Sequence, residues 1–167
     1  VRVDGRLAEV LVGLAGCTGS VLGDLSDEHE RWPVYLAACK RSQCHDLLLS
    51  SVALEPDPSL ASGVVLQMLG NLPPAERQTW ITQLPSPAGR DYATRRANEL
   101  AIFQSSEVTR LLVDEDVQDS WSDWLQLLLA ELSTEPAVLR RLADKGRTKR
   151  VRRYATQSLA TVERGLP

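Results

Sequence analysis

The densest chemistry in this chain lies in LRRLADKGRTKRVRR, where eight basic residues and one acid occupy the fifteen positions from Leu139 to Arg153. Arg147, Lys149, Arg150, Arg152 and Arg153 fall at the start of one helix-forming stretch. Clustered cations of this kind neutralise phosphates, releasing counterions and giving salt-sensitive affinity, or they meet the carboxylates of a protein partner. Positive charge at a helix N-terminus also opposes the helix dipole, so an anion from outside or an acidic neighbour is attractive there. The plainer reading is a solvated outer face, or pairing with the chain's own acids. A protein contact or solvated cap is expected ahead of nucleic acid.

A second cluster is VDEDVQDSWSDWLQ, in which Trp121 and Trp124 stand three apart and Asp119 and Asp123 four apart, setting an aromatic edge beside an acidic one on a single helix. Tryptophans so placed serve as packing residues or as interface anchors. The third is CKRSQCH, with Cys39, Cys44 and His45, and with Cys17 upstream. Thiolate and imidazole are zinc ligands, but no Cys-x-x-Cys pair is present and a spacing of five is no standard hook. The three cysteines, odd in number, read as reduced thiols, with no metal and no cofactor expected. Dinucleotide, Walker, nucleophile-elbow and zinc-protease motifs are missing, and His29 lies in the charged run SDEHER. No catalytic residue is assigned, and the expectation is a protein that is not an enzyme.

The elements that must hold these residues are helices. The chain has 167 residues, 43% hydrophobic and 25% charged, enough for one domain with a sizeable core. The net charge of -3 conceals two halves of opposite sign: residues 140 to 167 hold nine Lys or Arg against two acids, and residues 1 to 139 hold ten against twenty. No apolar run approaches the ~20 residues of a membrane span. LAEVLVGLAG contains Glu9 and lacks a basic lead, so it does not read as a signal peptide. A cytoplasmic location is expected, with no membrane partner. Arg exceeds Lys sixteen to three, a bias that suits a bacterial genome rich in GC. A start at Val1 suggests a processed chain or a domain of a longer one.

Self-similarity organises the rest. The stretches at 53 to 69, 84 to 100, 112 to 128 and 143 to 159 each run from an apolar helix end through a polar or proline-rich turn to a helix closing on Leu. A weaker copy covers 22 to 38, and the closing positions Ala38, Leu69, Leu100, Leu128 and Leu159 are 31, 31, 28 and 31 apart. First helices are expected at 5 to 16, 43 to 54, 75 to 84, 105 to 113 and 135 to 143. Second helices are expected at 27 to 41, 58 to 70, 90 to 103, 117 to 132 and 147 to 163. Asp57 before Pro58 is an N-cap with proline at the first helical position. Ser26, Ser105 or Ser106, and Thr134 are further caps, and Gly70 and Gly146 end helices. The apolar spacing is helical in Leu48, Leu49 and Val52, in Leu125, Leu128, Leu129 and Leu132, and in Val138, Leu139 and Leu142. No stretch alternates with period two, so no sheet is expected.

This pattern resembles the short HEAT-like repeats of bacterial proteins, and residues 133 to 156 are similar to the leucine-rich repeat variant family through Val138, Leu139, Leu142, Ala143, Val151, Arg152 and Ala155. The resemblance implies an all-α, right-handed α-solenoid of the HEAT/armadillo kind. It would have about five helix pairs, at 5–41, 43–70, 75–103, 105–132 and 135–163, in one domain over 1–167, because stacked pairs share one core. It further implies a scaffold or adaptor that binds a protein on its second-helix face, with Trp121, Trp124, Arg147, Lys149, Arg150, Arg152 and Arg153 as contacts. Two alternatives accompany it. One is a nucleic-acid-binding protein resembling the HEAT-like alkylpurine DNA glycosylases, with Trp121, Trp124 and Asp123 at the damaged base and with Arg95, Arg96, Arg150 and Arg153 lining a groove. The other is an accessory or regulatory domain of a longer chain.

Overall fold

A computed structural model describes residues 3–105 and 120–165. Helices and their connections account for the described residues, and no strand occurs among them. The chain divides into two compact units, Val1–Ala97 and Asn98–Pro167.

In the first unit lie α1 (Gly5–Thr18), α2 (Glu28–Cys39), α3 (His45–Leu54), α4 (Pro58–Leu69) and α5 (Pro74–Thr82), followed by α6 (Pro87–Gln104), within which the division falls. The starts are set locally. Asp4, Asp27 and Asp57 cap α1, α2 and α4 by accepting from the backbone N–H of Arg6, His29 and Ser59, and Pro58 needs no donor at the first position of α4. The expected cap Ser26 instead donates to Asp24, leaving the capping place to its neighbour Asp27. The end of α1 is a glycine turn, with Gly19 at φ 73° donating to the carbonyl of Ala15. Gly70 ends α4 as expected.

Helical spacing gives each of the first four helices one apolar stripe: Leu7, Leu11 and Leu14 on α1, Val34 and Ala38 on α2, Leu48 and Val52 on α3, and Ala61, Val64, Val65 and Met68 on α4. First helix packs on first helix, α1 on α3, and second on second, α2 on α4, with each pair also packed within itself. Inside this apolar body sits a buried polar network. Arg31 donates through Nη2 to Glu55 Oε1 at 2.7 Å and through Nε to Oε2 at 3.1 Å, and its Nη1 reaches the carbonyl of Leu25 at 2.7 Å. Tyr35 donates to Glu55 Oε2 at 2.7 Å. Burial, then the bond to the Glu55 carboxylate, holds the Tyr35 hydroxyl proton well above the ordinary phenol range.

The second unit contains α7 (Asp123–Leu132), α8 (Pro136–Lys145) and α9 (Lys149–Glu163), each packed on the other two. Trp121, Leu125, Leu129, Ala130, Val138, Leu142, Val151 and Ala155 form its core, with Phe103, Trp124 and Tyr154 half-buried against it. The expected helix at 117 to 132 is a shorter one. Ser122 accepts from the N–H of Leu125 and starts α7 there, and 117 to 119 lie outside the described residues, as does the expected first helix at 105 to 113 beyond Ser105. Leu132, expected in the core, is 59% exposed at the last position of α7. Among the closing positions Ala38, Leu69 and Leu100 are buried, and Leu128 and Leu159 are half-buried.

Candidate cationic docking patch

The basic stretch is built around the turn between α8 and α9. Gly146 ends α8, Thr148 caps α9 by accepting from the N–H of Val151, and Val151 and Ala155 anchor the helix in the core. Gln126, fully buried on α7, holds that turn from below: its Oε1 accepts from the backbone N–H of Arg147 at 2.9 Å, and its amide donates to the carbonyl of Trp121 at 3.4 Å. One buried amide therefore positions both the aromatic start of α7 and the basic start of α9. Sequence reading passed over Gln126, whose signal was a polar residue inside an apolar helical stripe.

The five cations do not share one fate. Arg147 reaches Asp123 Oδ1 at 3.2 Å, and Arg152 donates to the carbonyl of Gly146, bonding the turn behind it. Lys149, Arg150 and Arg153 are exposed and make no ion pair among the described residues. Arg150 and Arg153 both precede Tyr154, four residues and one residue before it, and hold their guanidinium carbons 5.6 and 5.2 Å from its ring centroid, within cation–π range. The result is a cationic surface with an aromatic centre at the positive end of a helix. It can hold an anionic group.

The tryptophans require a correction. Trp121 lies before the Ser122 cap, so it does not share α7 with Trp124, and it is only 3% exposed. The chain bends at Ser122 and the indole turns into the apolar core, where it presents no surface to a partner. Trp124 is half-buried against the same core. Asp123 is engaged by Arg147, so Trp121, Trp124 and Asp123 are not displayed together, and Asp119 lies outside the described residues. Arg95 and Arg96 belong to the first unit, where Arg96 covers Tyr92 at 5.3 Å. Arg150 and Arg153 belong to the second.

The cysteines also depart from expectation. Cys17 at the end of α1 and Cys44 before α3 form a disulfide, with Cα atoms 6.1 Å apart. The packing of α1 on α3 brings together thiols that the sequence separates by 27 residues, where the odd number of cysteines reads as reduced thiols. Cys39 stays reduced and buried, and burial pushes its thiol up to about 11. With both sulfurs of the pair bonded to each other, the set Cys17, Cys39, Cys44 and His45 is no thiolate cage. The His45 ring meets Trp80 edge-on at 6.1 Å. At the start of α2, ligand atoms of Asp27, Glu28 and His29 come within 4.8 Å of one another at the surface, an arrangement common in solvated acidic turns.

No helix among the described residues is long and apolar enough to cross a membrane. Comparison with protein-family models, with curated proteins and with solved structures finds no match to this chain.

Proposed function

We propose that this protein is a non-enzymatic α-helical repeat scaffold, of the short HEAT-like kind, that binds an acidic protein through the start of α9. The observation that carries the reading is the exposed trio Lys149, Arg150 and Arg153, which make no ion pair among the described residues, with Arg150 and Arg153 against the Tyr154 ring. Three exposed like charges at a helix N-terminus repel one another and the dipole, and a carboxylate-bearing partner relieves both. Local packing of first helix on first and second on second in α1 to α4 is what stacked helix pairs require, and it supports the solenoid reading; its right-handed sense is part of the proposal. Trp124 and the paired Arg147 and Arg152 would flank the contact. A bacterial origin and a cytoplasmic location belong to the same proposal, and the disulfide supplies the test of the latter. Disulfides are rare in the cytosol, so trapping Cys17 and Cys44 as thiols in whole cells supports it, and trapping them as a disulfide places the protein in an oxidising compartment.

The test of the function is capture from a host lysate with the wild-type chain and with Arg150→Glu/Arg153→Glu, each with and without nuclease. A protein retained after nuclease and lost on charge reversal supports the scaffold. Recovery of nucleic acid alone, abolished by nuclease, overturns it in favour of a phosphate-binding surface.

A further inference from the structure

In the first unit, a groove of about 420 Å³ opens between the N-terminal turns of α2 and α4, lined by Glu28, His29, Trp32, Asp57, Leu60 and Gly63 among others. Its apolar part is the indole of Trp32 with Leu60. Gly63 lets that indole rest against the backbone of α4: a Cβ at this position would stand 3.3 Å from Trp32 Cη2 and Cζ3, tight enough to push the ring away. Its polar part carries two carboxylates, of Glu28 and Asp57, together with Ser59 and the His29 ring, whose Nδ1 lies 3.5 Å from Glu28 Oε1. Glu28 is exposed at the first position of α2, and Asp57 uses one carboxylate oxygen, Oδ1, to cap α4. No Lys or Arg lines the groove. Arg31, one residue before Trp32, is buried and committed to Glu55.

A flat aromatic face beside two carboxylates selects its occupant by charge and shape. An anion is repelled. A metal ion gains nothing from an indole and a leucine. A guanidinium is planar and weakly hydrated, so it stacks on an indole while its edge N–H groups reach carboxylates, and an ammonium does this less well. We infer that the groove between α2 and α4 takes an arginine side chain presented by a peptide or protein. This site is separate from the basic start of α9 and stands or falls independently of it.

The experiment follows the indole N–H resonance of Trp32 in the intact isotope-labelled chain, identified by its loss in Trp32→Phe. The probes are N-acetyl-arginine methylamide, its lysine counterpart and its citrulline counterpart, which keeps the shape and removes the charge. The expected result is a saturable shift with arginine, weaker binding of lysine, and binding of citrulline weaker by about tenfold, equivalent to about 1.4 kcal/mol. The shift should also fade in Glu28→Gln/Asp57→Asn, in which asparagine still caps α4 and the remaining resonances report an intact fold. No saturable shift with arginine, an equal response to citrulline, tighter binding of lysine, or full binding by the neutralised variant would each overturn the assignment.

Discussion

Arg31 on α2 and Glu55 after α3 form a bidentate ion pair whose side chains are each 1% exposed. The backbone N–H of Asp57 also donates to Glu55 Oε1, so the pair ties the approach to α2, through Leu25, to the start of α4. Removing one member leaves the other charged and buried. We expect Glu55→Ala to destabilise the protein by about 3 to 5 kcal/mol in denaturant unfolding, and the double change Arg31→Met/Glu55→Leu to cost much less.

The disulfide makes a second prediction. Linking residues 27 apart in sequence removes loop entropy from the unfolded chain worth about 3.5 kcal/mol by the chain-entropy relation. Cys17→Ala/Cys44→Ala should lower the midpoint of thermal unfolding accordingly. Alkylation of the denatured wild type should label one cysteine without reductant and three with it. Three labelled cysteines in the absence of reductant would exclude the bond.

Cys39 predicts a pH dependence. Its native thiol is raised to about 11 from the ordinary 9.0, so its contribution is complete below the unfolded value and is lost as pH rises from about 9 through about 11. Unfolding measured across that range should show the loss in wild type and a smaller one in Cys39→Ala. Equal slopes would place the thiol in contact with water.

Gln126 connects packing to the patch. Gln126→Leu keeps the volume but strands the N–H of Arg147 and the carbonyl of Trp121, and should cost about 1 to 3 kcal/mol. Amide exchange at Arg147 should accelerate relative to Val151, which keeps its bond to Thr148.

The patch itself predicts unequal cations. Because Asp123 already faces Arg147, Arg147→Ala should weaken binding of the captured acidic partner less than Arg150→Ala or Arg153→Ala, and the salt dependence of binding should flatten only for the latter two. Equal effects from all three would remove the distinction drawn at this surface.

What the sequence determined by itself is what acts within one or two turns of backbone. Apolar residues at three- and four-residue spacing located most of the helices to within a few residues, Asp57 with Pro58 and the glycines at 70 and 146 marked ends, and Val138, Leu139, Leu142, Val151 and Ala155 were legible as core, whereas Leu159, read as core with Val151 and Ala155, is half-buried. Even locally a choice between adjacent acceptors went the other way, since Ser26 bonds back to Asp24 and Asp27 caps α2. Tertiary structure alone decided the rest. The Cys17–Cys44 bond, the Arg31–Glu55 pair, the Arg147–Asp123 contact and the groove joining Trp32 to Gly63 each unite residues more than twenty apart in the chain. Periodicity says which face of a helix is apolar, but not which helix will lie against it. That choice buried Trp121, neutralised one arginine and left three cations at the start of α9 facing solvent.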